Sequence, residues 1–175
     1  KRAIAGGEIL HIRRGLYCLA PKYQKQPISL YGLAQHIHGP SYISLESALS
    51  RHGLIPEAVY TVTSVSYGKS KEFRTPLGTF SYDPVPQKIF LAGVKRETEE
   101  SGQAYLIASA VKALADYVYV RRKSWTGLGP AAAELRMEPE ELGDVSSADF
   151  EDLLENSASR RVQKFLQGLR KDLKL

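Results

Sequence analysis

The residues of this chain that could take part in catalysis are few and widely spaced. Its four histidines are His11, His36, His38 and His52, and its one cysteine is Cys18. On a strand, His36 and His38 would face one side and could bind a metal ion, but the surrounding residues predict a helix, on which the two rings diverge by about 200°. No cluster of cysteines or carboxylates lies nearby to complete the ligand set. We therefore expect no metal site.

The chain also lacks the motifs of common catalytic and nucleotide-binding sites. It has no Gly-x-Ser-x-Gly nucleophile motif, no Gly-x-x-x-x-Gly-Lys-Ser/Thr phosphate-binding loop and no Gly-x-Gly-x-x-Gly dinucleotide motif. Cys18 has bulky neighbours in a predicted strand, so we expect a buried, inert thiol rather than a nucleophile. We therefore predict a protein that is not an enzyme and that needs no cofactor.

Acidic residues concentrate in residues 134–155, which hold nine acids and the single base Arg136. Carboxylates that converge in a pocket could bind a metal ion for phosphoryl transfer, as in a nuclease or a nucleotidyltransferase. This stretch instead predicts short amphipathic helices, on which an acidic run usually forms a solvated face. Lys112 and Asp116, four residues apart on another predicted helix, would form a surface pair worth about 0.2–0.5 kcal/mol.

The net charge of +5 is confined to the first 25 residues. This segment carries one acid and six bases, while the other 150 residues carry 18 acids and 18 bases. Clustered positive charge predicts an anionic partner such as DNA. The alternative is a solvated surface with uneven charge. The candidate DNA-binding residues are the six bases Lys1, Arg2, Arg13, Arg14, Lys22 and Lys25.

The elements predicted around these bases are a helix end and a hairpin. Residues 1–5 predict the end of a helix, which Gly6-Gly7 stops. Residues 8–13 and 16–19 predict two strands joined by a turn at Arg13-Arg14-Gly15. A basic helix end followed by an arginine-tipped hairpin is typical of the C-terminal part of a winged helix-turn-helix. The alternative is an ordinary edge hairpin with solubilising arginines.

A winged helix-turn-helix would give each of these bases a role on DNA. The helix end would place Lys1 and Arg2 on phosphates or base edges. The hairpin would place Arg13 and Arg14 over the DNA backbone or in the minor groove. Guanidinium groups suit both kinds of contact.

The rest of the chain predicts an α+β fold. Apolar residues at helical spacing and good capping residues, among them Ser44 and Gly53, predict helices at 28–38, 45–52 and 111–118. Runs rich in β-branched and aromatic residues predict an antiparallel meander, with strands at 59–67, 71–75, 78–83 and 87–92. Residues 103–108 predict a strand or the lead into a helix. The C-terminal third predicts helices at 131–137, 147–155 and 159–173. We expect two parts, residues 1–25 and residues 26–175, with a helical tail from about residue 130.

Four segments of the chain resemble a known family in their order and spacing. They are Arg13-Arg14-Gly15-Leu16-Tyr17, Tyr42-Ile43-Ser44-Leu45-Glu46-Ser47-Ala48-Leu49, His52-Gly53-Leu54-Ile55-Pro56 and Lys112-Ala113-Leu114-Ala115-Asp116. Over roughly residues 1–120 the sequence resembles the AbiEi family, which comprises antitoxins and predicted transcriptional regulators of abortive-infection phage-defence systems. Relatives tend to have Pro-Glu where this chain has Ala110 and Val111, and the family pattern expects further winged-helix residues before Lys1.

The resemblance implies an N-terminal winged helix-turn-helix followed by an antitoxin domain. It implies binding to the promoter of the protein's own operon, hence autorepression, and neutralisation of a cognate nucleotidyltransferase-like toxin in the cytoplasm. In the second domain it implies packing roles for the motif residues rather than chemistry. A membrane span is not expected, because no apolar stretch approaches the roughly 20 residues that one needs. The alternative function is a protein-interaction module that binds a partner without DNA, for which the acidic residues 134–155 and the basic residues 160–174 offer surfaces.

Overall fold

The computed structural model describes residues 2–142, 145 and 147–175, which form an α+β fold. The described helices are α1 (Arg2–Ala5), α2 (Leu30–Ile37), α3 (Leu45–Arg51), α4 (Ala110–Val120), α5 (Leu128–Leu135), α6 (Ser147–Asn156) and α7 (Arg160–Asp172). The described strands are β1 (Ile9–Arg13), β2 (Leu16–Leu19), β3 (Ser41–Ile43), β4 (Thr61–Ser66), β5 (Lys71–Thr75), β6 (Gly78–Asp83), β7 (Val94–Thr98) and β8 (Ala104–Ala108). Among these residues no helix is both long and apolar enough to cross a membrane.

The large sheet is mixed, so the predicted antiparallel meander is wrong. Its six strands lie in the order β5-β6-β4-β3-β8-β7. Strand β5 forms an antiparallel hairpin with β6, but β6 then pairs in parallel with β4, and β3 pairs in parallel with β8. The burial of the individual strands explains their order in the sheet. Five of the six residues of β4 are buried, so β4 lies between two neighbours, whereas the charged and exposed β5 suits the sheet edge.

The strand predicted at 87–92 is an irregular loop. Pro84 and Pro86 remove two backbone N–H donors from this segment, and only an isolated bridge between Gln87 and Ser157 resembles strand pairing. The next strand along the chain is β7, which forms a hairpin with β8 at the other edge of the sheet. The residues predicted as a strand or a helix lead-in at 103–108 are therefore strand β8.

The predicted helices are confirmed, with bounds that differ by a few residues. Ser29 Oγ accepts the Gly32 amide at 3.0 Å and caps α2, as its position before the apolar stripe requires. The final helix, α7, packs against α4. Apolar residues at helical spacing predict one stripe on this helix, and the structure buries four of them, Val162, Phe165, Leu166 and Leu169, and leaves Leu173 half-buried.

The N-terminal hairpin, formed by β1 and β2, packs against the body of the fold. Ile12 is buried and belongs to the same hydrophobic core as the residues of the large sheet. Strand β1 contacts the edge strand β5. The division of the chain near residue 25 stays a prediction.

The segment before α5 passes close to the backbone of α7 at Gly168. A Cβ atom added to this residue would lie 1.7 Å from the carbonyl oxygen of Thr126. The segment before α5 therefore crosses α7 without room for a side chain. Asp172 strengthens the same crossing, because its Oδ2 accepts the Leu128 amide at 2.7 Å at the start of α5.

We expect Gly168→Ala to destabilise the protein by about 1–3 kcal/mol, because the backbone of residues 126–127 must move to admit the new methyl group. The free energy of unfolding from urea titration measures this loss. Gly129→Ala is the matched control, since a Cβ there meets nothing within 4 Å. Equal stabilities of the two variants would contradict the close crossing.

Candidate nucleic-acid interface

The N-terminal hairpin follows directly from helix α1, in the predicted order. Its register pairs Ile9 with Leu19 and His11 with Tyr17, and a bulge follows His11. The Glu8 amide bonds to the carbonyl oxygen of Ala3 at 2.9 Å, which closes α1 onto the start of β1. A short helix, a tight glycine turn and an antiparallel hairpin are therefore present as one unit.

The two arginines at the hairpin tip have different surroundings. The Arg13 guanidinium carbon lies 5.8 Å from the centre of the Phe73 ring on the edge strand β5, so this side chain links the hairpin to the large sheet. Arg14 lies in the turn and is exposed. Neither arginine pairs with a carboxylate of the residues that the structure describes.

The other predicted DNA-binding residues flank the hairpin. Lys1 lies outside the described residues, and Arg2 opens α1. Lys22 lies in a short turn of 3-10 helix after β2, where its Nζ is 4.7 Å from the centre of the Tyr23 ring. Lys25 follows and is exposed. Within the described part of the chain, Lys22 and Lys25 form no ion pair.

A further base, Lys71, extends the positive charge onto the large sheet, and sequence reasoning missed it. Burial lowers the pKa of His38, and the nearby charges of Lys71 and Arg13 lower it further. The His38 ring lies edge-on to Tyr82, with 5.1 Å between ring centres. Positive charge therefore gathers where the hairpin meets β5. The sequence showed Lys71 on a strand, but only the sheet order places that strand beside the hairpin.

Cys18 is half-buried rather than buried as predicted, and it packs in the hairpin against the core. Burial raises the pKa of its thiol, which disfavours the thiolate at neutral pH. None of the described residues form a group of three or more side chains that could hold a metal ion. His36 and His38 lie at the end of α2 and just beyond it.

Lys112 and Asp116 do not form a surface pair, and that prediction is wrong. Their residues are 4% and 1% exposed, and Lys112 Nζ lies 2.5 Å from Asp116 Oδ1. The other carboxylate oxygen accepts Tyr42 OH at 3.0 Å and Ser44 Oγ at 2.8 Å. The apolar spacing correctly predicted that Lys112 and Asp116 lie on one helix. It could not show that α7 and the loop after β6 would cover this face of α4.

This buried polar cluster joins two of the motif segments that carry the family resemblance. Ser44 stands at the N-cap position of α3, as predicted, but its side chain bonds to Asp116 instead of an α3 amide. Gln87 Nε2 donates to Tyr42 OH at 3.1 Å. Burial and the Asp116 charge raise the pKa of Tyr42 well above its usual range, so the phenol stays neutral and donates its proton. The cluster holds β3 and α3 against α4.

Some of the described acidic side chains line a groove beside β4, β5 and β6. The groove has a volume of about 710 Å³, and its acidic residues are Glu46, Glu57, Glu72 and Asp83. Glu46 accepts two hydrogen bonds from Arg121, at 2.7 and 2.9 Å, and Glu57 pairs with Arg136. Asp144, within the predicted acidic stretch, lies outside the described residues. The alternative of metal-dependent phosphoryl transfer by residues 134–155 stays a prediction.

No protein-family model and no curated protein matches the chain. The likeness to the AbiEi family therefore stays a prediction from the motif residues. The candidate interface therefore rests on the geometry of this chain. Its arginine-tipped hairpin lies next to Lys22, Lys25 and Lys71, and none of these basic side chains pairs with a described carboxylate.

We expect Lys112→Met to destabilise the fold by about 3–5 kcal/mol, because it leaves the Asp116 carboxylate buried without its cation. Chemical denaturation measures the loss. The control is Arg74→Met, which breaks the exposed pair of Arg74 with Glu72, whose side chains are 85% and 51% exposed. We expect that change to matter little. A similar small loss in both variants would refute the anchoring role of the buried pair.

The lowered pKa of His38 predicts a loss of stability in mild acid. Well above pH 6.5 the ring is neutral in both the folded and the unfolded chain. As the pH falls through 6.5, the usual value, the unfolded chain takes up a proton that the folded protein binds less well. Stability should therefore fall more between pH 7.5 and pH 5.5 in the wild type than in His38→Gln. Urea titrations at both pH values test this, and identical losses would contradict it.

Proposed function

We propose that this protein is a DNA-binding transcriptional regulator of the antitoxin type, in which the N-terminal hairpin is the wing of a winged helix-turn-helix. The observation that carries the proposal is the exposed tip of the hairpin. Arg14 lies there without a described carboxylate partner, in a segment of 25 residues whose only acid is Glu8. Unpaired guanidinium groups at a hairpin tip suit contact with phosphates or a narrow minor groove.

The remaining bases take supporting roles in this proposal. Arg14 contacts the DNA backbone, and Lys22 and Lys25 contact phosphates beside it. Arg13 keeps the hairpin at its angle to the sheet through its contact with Phe73, in addition to its charge. Lys1 and Arg2 belong to the end of the recognition helix.

The biological role follows from the resemblance to the AbiEi family. The regulator binds the promoter of its own operon in the cytoplasm, represses it, and neutralises a cognate nucleotidyltransferase-like toxin. The body of the fold serves as the antitoxin domain. In this role the buried cluster of Lys112, Asp116, Tyr42 and Ser44 stabilises the domain and performs no chemistry.

A second candidate is a protein-interaction module that binds its partner without DNA. The aliphatic side chains of Ile89 and Leu91 favour it, because they are 66% and 49% exposed on one loop. The two functions use different surfaces and are compatible in one protein.

We expect Arg14→Ala to weaken binding to a DNA fragment that carries the promoter of the protein's own operon. The slope of log K against log salt should fall by about 1, because one phosphate contact is lost. Fluorescence anisotropy at several salt concentrations measures both quantities. Thermal stability should stay unchanged, since Arg14 is exposed and pairs with no carboxylate in the described part of the chain.

Arg96→Ala is the matched control for this measurement. Arg96 is exposed on β7, at the sheet edge opposite β5, and forms no ion pair with the described residues. Its removal lowers the net charge equally but should leave the DNA affinity nearly unchanged. If both substitutions changed the DNA affinity equally, only the net charge would matter, and the assignment of the hairpin as a wing would be refuted.

A further inference from the structure

The loop of residues 85–93, which joins β6 to β7, presents aliphatic side chains to solvent. Ile89 is 66% exposed and Leu91 is 49% exposed. Single exposed aliphatic residues are ordinary on protein surfaces, but two on one short loop form a patch. Together with Ala92 and residues of α6 they line a pocket of about 420 Å³.

A buried asparagine holds the first half of this loop. The Ile89 amide donates to Asn156 Oδ1 at 2.5 Å, and Asn156 Nδ2 donates to the Ile89 carbonyl oxygen at 2.9 Å. The Lys88 amide donates to the Asn156 carbonyl oxygen at 3.1 Å. Asn156 is 5% exposed. The protein thus uses a buried polar side chain to hold an exposed aliphatic residue in one orientation.

Close packing at Gly93 holds the second half of the loop. Its φ of +71° favours glycine, and a Cβ there would lie 2.7 Å from Leu153 Cδ2 and 3.1 Å from Lys112 Cβ. The loop is therefore pressed against α6 and α4 at this end. A patch held at both ends is ordered before any partner arrives, so binding costs less conformational entropy.

The pocket has an acidic rim. Asp152 and Glu155 on α6 line it and are exposed, and neither pairs with a base of the residues that the structure describes. Lys88 is the one basic residue in the lining. The surface therefore combines an apolar floor with two carboxylates that pair with no described base. These carboxylates attract cations and repel phosphates.

We propose that loop 85–93 and α6 form a docking surface for a partner protein, whose binding segment carries an aliphatic or aromatic anchor beside lysine or arginine residues. The anchor enters the pocket and packs on Ile89 and Leu91. The basic residues meet Asp152 and Glu155. The surface shares no residue with the N-terminal hairpin, so the inference holds whether or not the hairpin binds DNA.

The test uses a synthetic amphipathic peptide, labelled with a fluorophore, that has leucine on one face and lysine on the other. Two comparison peptides carry glutamate in place of lysine, or serine in place of leucine. The protein's net charge of +5 opposes non-specific binding of a cationic peptide, so saturable binding reports a local acidic site. We expect the leucine–lysine peptide to bind at least about tenfold more tightly than either comparison peptide.

Substitutions in the protein show whether the peptide binds in this pocket. Ile89→Ser and Asp152→Lys should each weaken peptide binding by about tenfold, while thermal stability and DNA affinity stay the same. The matched controls are Tyr60→Ser, which removes a side chain from a residue that is 90% exposed, and Glu140→Lys, which reverses a charge outside the pocket. The controls should leave peptide binding unchanged.

Three results would overturn the proposal. The first is the absence of saturable binding of the leucine–lysine peptide. The second is an equal loss of peptide binding in the pocket variants and the controls. The third is self-association of the protein that Ile89→Ser abolishes in sedimentation velocity, because the occupant would then be a second copy of the chain. Weaker DNA binding in Arg14→Ala with peptide binding intact would support a docking surface separate from the hairpin.

Discussion

The buried ion pair between Lys112 and Asp116 is the constraint on which the rest of the body depends. A charge taken out of water destabilises a fold unless its partner and its hydrogen bonds are all in place. Asp116 meets that requirement only when β3 brings Tyr42 and the start of α3 brings Ser44 to the same point as α4. The cluster therefore fixes the position of α4 against the sheet, and α7 and the loop after β6 are built over it.

The sheet order determines where the candidate functional surfaces lie. Strand β5 reaches the edge because β6 turns back between β5 and β4, and the edge position lets the N-terminal hairpin contact Phe73. The same order brings Lys71 towards Arg13, so that bases far apart in sequence share one surface. A meander would have put β5 inside the sheet, where its charged side chains could not be solvated.

The two proposed surfaces rely on different physical means. The hairpin and the lysines beside it offer guanidinium and ammonium groups that pair with no described carboxylate, and their long-range attraction suits a polyanion such as DNA. The loop of residues 85–93 offers aliphatic side chains that a buried hydrogen-bonded asparagine and a tightly packed glycine hold in place. The carboxylates beside that loop disfavour nucleic acid and favour a basic segment of a protein. The two proposals therefore call on surfaces of opposite charge.

The sequence alone determined the class of fold, most helix bounds, the hairpin with Arg13 and Arg14 at its tip, and the concentration of charge in residues 1–25, because periodicity and composition act over short distances. Tertiary structure alone decided that β4 and β6 run parallel, that residues 87–92 form a loop, and that Lys112 and Asp116 are buried. Burial depends on which distant element covers a residue. The helix spacing of Lys112 and Asp116 is the same on a surface and in a core, so only the packing of α7 over α4 distinguishes the two.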